Sequence, residues 1–486
     1  MPIDSVQPAY AEYLPKWQRC RDGCGGQDLV KSRTVGYLPM LPGDDAGRYE
    51  SYLARALYFN ASGRTKQAFL GMAFHKPPNV KVGNDALVAD ASLDGRNLTG
   101  YARSIVEQVV EVGRAGTLVD WSESEERPYF VTYKAEQIRN WQVSRVGGKM
   151  VLARVVLEEW VEKGSVALPN DPMATADATG DAYQPEMELQ YRELLLTGGS
   201  YVVRVWRKVE QDAVNGMKGK EEWLMVKEAT PSRRGSSMTF IPFVFHGATG
   251  IGTEPDRPPL EDIVDVNLSH YRSSADLEHG RFFVSLPQPW LTGVTSSEAI
   301  VMGSGKAWLI EQPDAKVGML EFTGQGLGAL EKALADKERM MAVLGSRMLE
   351  APKREVETAE AMQIRAMADG TTLTQIVQSV SESMTEACAM AILWTLPADA
   401  QPETAREQVK FQISTDFLTK KMSPDELRAV VAAWQGGAMT KSSMVWALHR
   451  GEYTDPQRTV DEELALLDSE QPPMLDFKAK RPVGVI

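Results

Sequence analysis

Between residues 258 and 283, apolar side chains fall at Leu260, Ile263, Val264, Leu268, Tyr271 and Ala275. This three-and-four spacing places them on one helix face, and Pro258 and Pro259 suit the first turn. The pattern breaks at VSLPQPWLTG (284–293), where two prolines and a closing glycine favour extended chain and turns. Two strand-prone runs follow, AWLI at 307–310 and VGMLEF at 317–322, separated by turn-like QPDAK. Helical spacing resumes near Gly326 with Leu327, Leu330, Leu334, Met341, Leu344 and Met348. The pattern therefore predicts two long helices joined by a small strand module.

At about 1.5 Å rise per residue, each of these helices is roughly 39 Å long. Charges interrupt both, Glu261, Asp262, Asp265, Arg272, Asp276, Glu278 and Arg281 in the first, and Glu331, Lys332, Asp336, Lys337, Glu338 and Arg339 in the second. Both read as helices packed in protein and not as membrane spans. Ile263, Leu268 and Tyr271 on one, and Leu334, Met341 and Leu344 on the other, are the candidate packing positions. A polar loop, EAPKREVE at 350–357, leads to a third long helix at 358–396, whose start reads ETAEAMQIRAMADGTTL. Gly370 in its middle costs about 1 kcal/mol relative to alanine and predicts a kink.

Upstream, residues 49–58 open a helix with Tyr52, Leu53, Ala56 and Leu57 able to face a core, continued over 65–74 until Pro77 and Pro78 end it. Leu98, Tyr101, Ile105, Val109 and Val112 mark one face of a helix over 98–112, stopped by Gly113 and Gly116, after which TLVDW reads as a strand. From Tyr129 the chain turns strand-rich. Alternation through 190–194 and 201–206 indicates antiparallel strands with one wet face, and the turn at Thr197-Gly-Gly-Ser200 predicts a hairpin over 188–208. Residues 167–184, rich in Pro, Asp, Ala and Gly, read as an excursion. Near the end come a strand (QVKFQIS), a helix opened by Ser423 and Pro424, a second opened by Thr440, an acidic helical stretch at 461–470, and the basic tail FKAKRPVGVI.

The net charge of −13 argues against a protein that coats nucleic acid, and would suit a passage through which DNA moves without sticking. With 486 residues and 43% hydrophobic content the chain can hold two to four domains. Cys20, Cys24 and Cys388 fit a reducing compartment, and Cys388 falls on an apolar helical stripe. No signal peptide or membrane span is read. Gly303-Ser-Gly-Lys306 resembles half a phosphate loop, but Ile300 and Ala307 stand where a Walker loop needs Gly and Ser or Thr. His270 and His279 lie too far apart on one helix to share a metal, and read as surface or interface residues. Glu158 and Glu159 read as solvated charges. No catalytic residue, metal site or cofactor is expected, and the chain is not expected to be an enzyme.

Helix, small insertion, helix, short polar loop and long helix, together with the phrases SADLEHGRFFVSLPQPWLTG, GSGKAWLI and ETAEAMQIRAMADGTTL, resemble the portal proteins of tailed bacteriophages, in a branch often labelled only as a domain of unknown function. The resemblance covers roughly 35–453. It implies a mixed α+β fold of portal architecture: an N-terminal arm (1–34), an α/β wing (35–257), a first stem helix (258–283), a clip (284–322), a second stem helix (323–349), a tunnel loop (350–357), a kinked tunnel helix (358–396) and an upper wing or crown with tail (397–486). It implies a ring of twelve copies at one capsid vertex of the virion, assembled in the host cytoplasm, through which double-stranded DNA is packaged and ejected. The implied partners are the major capsid protein, the terminase large subunit and a head-to-tail adaptor. Lys353 and Arg354 become candidate DNA-facing residues, and Trp290 and Trp308 candidate docking residues of the clip. The alternatives are another head-to-tail connector ring protein, or a metal-dependent multidomain enzyme with dispersed acidic ligands.

Overall fold

The computed structural model describes residues 2–162, 186–210, 221–285, 288–293, 314–320, 326–347, 371–397, 402–417, 424–451 and 460–469, with positions 324, 400, 453, 454 and 458. The chain divides into two units, Met1–Thr415 and Asp416–Ile486. Helices of the first unit are α1 (Pro8–Gly25), α2 (Gln27–Ser32), α3 (Ala46–Arg55), α4 (Ala61–Ala73), α5 (Asp85–Ala89), α6 (Leu98–Val112), α7 (Glu261–Ser285), α8 (Leu327–Arg347), α9 (Thr372–Thr395) and α10 (Pro402–Glu407). Its strands are β1 (Asn79–Lys81), β2 (Arg114–Ser122), β3 (Arg127–Lys134), β4 (Ile138–Val146), β5 (Lys149–Glu162), β6 (Met187–Thr197), β7 (Ser200–Glu210), β8 (Glu221–Ala229), the short β9 (Ser232–Arg233) and β10 (Ser236–Ser237), β11 (Phe243–Gly247), β12 (Gln288–Thr292), β13 (Lys316–Leu320) and β14 (Lys410–Gln412). The fold is mixed α+β.

The core is built where α6 and α9 meet a three-stranded antiparallel sheet in the order β11-β2-β3. The apolar stripe read for α6 is buried along its length, and α9 buries Leu373, Ile376, Val377, Val380, Met384 and Cys388. A polar chain crosses this core: the Tyr101 hydroxyl meets Thr117 Oγ1 at 2.8 Å, which meets His246 Nε2 at 2.7 Å, while His246 Nδ1 meets Ser383 Oγ at 2.7 Å. Four elements are thereby tied together by groups that would be costly to leave unpaired.

A second sheet is an antiparallel meander of five strands, β4-β5-β6-β7-β8. Its inner face carries a buried ion pair. Glu159 takes the Tyr133 hydroxyl at 2.6 Å, Gln190 Nε2 at 2.6 Å and Arg192 Nε at 2.7 Å. Glu159, expected in solvent, is therefore a core residue, because β6 and β3 bring a guanidinium and a phenol to it. The hairpin expected over 188–208 forms as β6 and β7, closed at Thr197↔Ser200.

Two further expectations are corrected, and two features of the fold were not foreseen. Residues 1–34 are not an arm: α1 packs on α4, α6 and α7 with Trp17, Cys20 and Cys24 buried, and Arg21 pairs with Glu111 and Glu136. Gly23 permits the close approach, since a Cβ there would lie 2.7 Å from Val264 Cγ1. The helix over 372–395 starts afresh: Thr371 has ψ 158°, and its Oγ1 accepts the Thr374 N–H at 3.0 Å. The predicted kink at Gly370 lies outside the described residues. β1 follows Pro77 and Pro78 directly and pairs with β14 through Val80↔Phe411, a contact with no local signal. His270 is not a surface residue, being only 5% exposed.

The second unit holds α11 (Pro424–Gln435), α12 (Lys441–Arg450) and α13 (Val460–Ser469). Thr440 caps α12, accepting the Ser443 N–H at 3.1 Å. No described helix of the chain is long and apolar enough to cross a membrane.

Candidate functional site

The helical hairpin α7–α8, with the strand pair β12–β13 between its arms, has a buried root, a polar seam and an apolar tip. At the root, α7 is fastened to the body along its N-terminal two-thirds. Arg19 reaches Glu261 and Asp265, each at 2.8 Å, and the Tyr52 hydroxyl donates to Asp276 Oδ1 at 2.6 Å. Asn267, a polar residue within the apolar stripe, is fully buried. Its Oδ1 accepts the N–H groups of Ala61 (3.1 Å) and Ser62 (3.0 Å) at the start of α4, and its Nδ2 donates to the Phe59 carbonyl at 2.7 Å. Ile263, Leu268 and Tyr271 are buried beside it.

The arms run antiparallel, because successive contacts pair rising positions on α7 with falling ones on α8. Lys337 Nζ donates to the Ser269 carbonyl at 3.1 Å and to Ser273 Oγ at 2.6 Å. His270 Nε2 lies 3.3 Å from Glu338 Oε1, and Arg281 Nη2 lies 2.9 Å from Glu331 Oε1. Burial pushes the Lys337 ammonium and the His270 imidazolium below their ordinary pKa ranges. His279, nearer the tip, is held down by burial and then by neighbouring Arg55. Leu334 and Leu344 are half-buried and Met341 is buried on the α8 stripe, and Lys337 takes the stripe position between Leu334 and Met341. A sequence pattern built from apolar positions skipped Asn267 and Lys337; a polar residue lodged inside each stripe was the available signal.

Towards the tip the arms close on Gly280, where a Cβ would lie 2.7 Å from Leu327 Cδ2. β12 and β13 pair antiparallel with Trp290 opposite Gly318, and the indole lies over the bare glycine. Phe282, Phe283, Val284, Trp290, Val317, Met319 and Leu320 are all exposed here, and Met340 and Val343 are exposed on α8. Val317 and Met319 lie on one face of β13, and Trp290 with Gly318 on the other. Trp308, Lys353, Arg354 and Gly370 lie outside the described residues, so the structure places none of them. Among the described residues no group of three or more His, Cys, Asp or Glu side chains could hold a metal ion.

The hairpin thus has a root fixed in the body and exposed apolar side chains towards its strand pair. Residues 259–395, which run from the start of α7 to the end of α9, match the family described as Domain of unknown function (DUF4055). No curated protein matches the chain. Among solved structures, the chain is similar to one described as "Virion of native gene transfer agent (GTA) particle", at 12% identity and TM-score 0.38, covering 86% of this chain and 98% of that one. It is also similar to "Neck of empty GTA particle computed with C6 symmetry", at 10% identity and TM-score 0.37, covering 78% and 86%. A third, "Neck of native GTA particle computed with C12 symmetry", has 12% identity and TM-score 0.34, covering 87% and 98%.

Proposed function

We propose that the chain is a structural protein of a tailed-phage-type particle and, more particularly, its portal subunit. In this reading twelve copies close into a ring at one capsid vertex, double-stranded DNA passes through the ring during packaging and ejection, and the chain itself catalyses nothing. The hairpin α7–α8 is the stem, β12–β13 belongs to the clip, and the apolar tip meets the terminase large subunit and later a head-to-tail adaptor. Residues 350–357, with Lys353 and Arg354, face the channel, and the major capsid protein surrounds the ring.

The observation that carries this reading is the order of elements: an antiparallel helical pair rooted in the body, a two-stranded unit with exposed Trp290 between its arms, and a long helix buried in the core after it. The outer side of α8 adds support, because Met340 and Val343 are left for a neighbour to cover. A closed ring requires heterologous contacts, in which one face of each copy meets a different face of the next.

Negative-stain imaging with mass photometry tests the proposal. The expected result is rings with a central hole and a mass near twelve subunits, and their loss when Leu334→Asp and Leu344→Asp are combined. If the double variant forms the same ring, the stem assignment is wrong. If the wild-type chain stays monomeric at every concentration and in the presence of capsid protein, the portal reading fails.

A further inference from the structure

Two lysines stand directly opposite each other on the ribbon β1–β14. Its register is Asn79↔Gln412, Val80↔Phe411 and Lys81↔Lys410. Because side chains alternate along a strand, Val80 and Phe411 share the inner face, and Asn79, Lys81, Lys410 and Gln412 share the outer one. Burial follows that division: Phe411 is buried and Val80 half-buried, while all four outer residues are exposed. The inner side is fixed to α9, where Thr385 Oγ1 lies 3.1 Å from both the Phe411 nitrogen and the Phe411 carbonyl oxygen, and Ser381 Oγ accepts the Ile413 N–H at 3.0 Å. The outer face is therefore a set of hydrogen-bond donors held against a buried helix.

Like charges directly opposed across a strand pair disfavour the pairing, and among the described residues no ion pair or side-chain hydrogen bond engages either lysine. The chain has an excess of carboxylates, with a net charge of −13, yet the outer face of the ribbon carries none. What relieves such a pair is an anion, and the oxygens of a phosphate backbone take hydrogen bonds from Lys, Asn and Gln alike. We propose that the outer face of β1–β14 contacts the phosphate backbone of double-stranded DNA, with Lys81 and Lys410 supplying the charge and Asn79 and Gln412 the neutral donors. Backbone contacts carry no sequence information, and a pair of cations on an acidic chain makes the contact weak and salt-sensitive, which is compatible with DNA that must move. This inference rests on the reading that DNA passes through the ring, and it adds a contact surface to the one proposed for residues 350–357.

The test is duplex-DNA binding by the full chain, followed by fluorescence anisotropy over a range of salt, with mass photometry so that like assemblies are compared. Each neutralised phosphate contributes about 0.9 to the slope of log K against log salt, so Lys81→Gln/Lys410→Gln should flatten the slope by about 1.8 and lower affinity about fivefold or more at low salt. Lys410→Glu places an acid opposite Lys81; it should raise the urea midpoint through the new cross-strand pair and lower DNA affinity more than Lys410→Gln does. A role confined to folding cannot move stability and binding in opposite directions. Equal slope and affinity in wild type and the double glutamine variant, both folded, overturns the contact and leaves the ring reading standing wherever rings are seen. Absence of binding by the wild type at low salt also overturns it, as does inorganic phosphate slowing amide exchange at 79–81 and 410–412 as much as the duplex does.

Discussion

Replacing Asn267 tests what roots the hairpin in the body. The side chain is fully buried, and three backbone groups at the start of α4 depend on it. Ala61 N–H also reaches the Phe59 carbonyl at 2.8 Å, so alanine at 267 strands chiefly the Ser62 N–H, which has no second acceptor among the described residues. A buried unsatisfied donor costs about 1–3 kcal/mol, and the small void adds to it, so Asn267→Ala is expected to destabilise the first unit by about 2–3 kcal/mol. Asn267→Leu separates the two contributions: it fills the space and still leaves the donor stranded. Urea unfolding of the wild type and both variants gives the free energies by linear extrapolation. Equal losses in the alanine and leucine variants assign the effect to hydrogen bonding, and recovery in leucine alone assigns it to packing. If both variants stay within about 0.5 kcal/mol of wild type, the ordinary range for surface changes, the argument that Asn267 fastens α7 to α4 is wrong.

Two further outcomes follow from buried charge and its absence. His246 is wholly buried, and burial pushes its pKa down to about 3, against about 6.5 for an unperturbed histidine. Its neutral form is the one that folds: the stability it contributes is complete above pH 6.5 and is lost as pH falls towards 3, at up to about 1.4 kcal/mol per unit. In urea titrations between pH 7 and 4, His246→Gln should therefore show a shallower decline than wild type. Arg192→Met leaves Glu159 buried without its cation and should cost about 3–5 kcal/mol, while Glu159→Gln combined with Arg192→Met should cost less than Arg192→Met alone; urea midpoints decide it, and a larger loss in the double variant would refute the pairing argument.

Local pattern exposed what local physics decides. The stripes on α6, α7 and α8 were legible because burial of one helix face requires three-and-four spacing, and the β6–β7 hairpin because Thr197-Gly-Gly-Ser200 fixes its turn. What was missed depends on distant chain. Gly23 is the place where α1 approaches Val264 of α7, a requirement set by distant chain. His270 carries no mark of burial until α8 covers it, and β1 is too short to announce a partner as remote as β14. The start of α9 carries a local mark, since Thr371 is a good helix cap.

The hairpin reverses the usual division between seam and surface. An ordinary helical pair buries apolar residues between its helices and shows polar ones to water. Here Lys337, His270, Glu338, Ser269 and Ser273 share the seam with the apolar stripe, while Met340 and Val343 are exposed on α8. Polar contacts of this kind fix register but add little net stability, because each replaces a bond to water. Covering a large apolar side chain contributes about 1.5–3 kcal/mol. A neighbour covering Met340 and Val343 would therefore add stabilisation of that order for each. In the proposed ring, copies standing side by side would supply that cover.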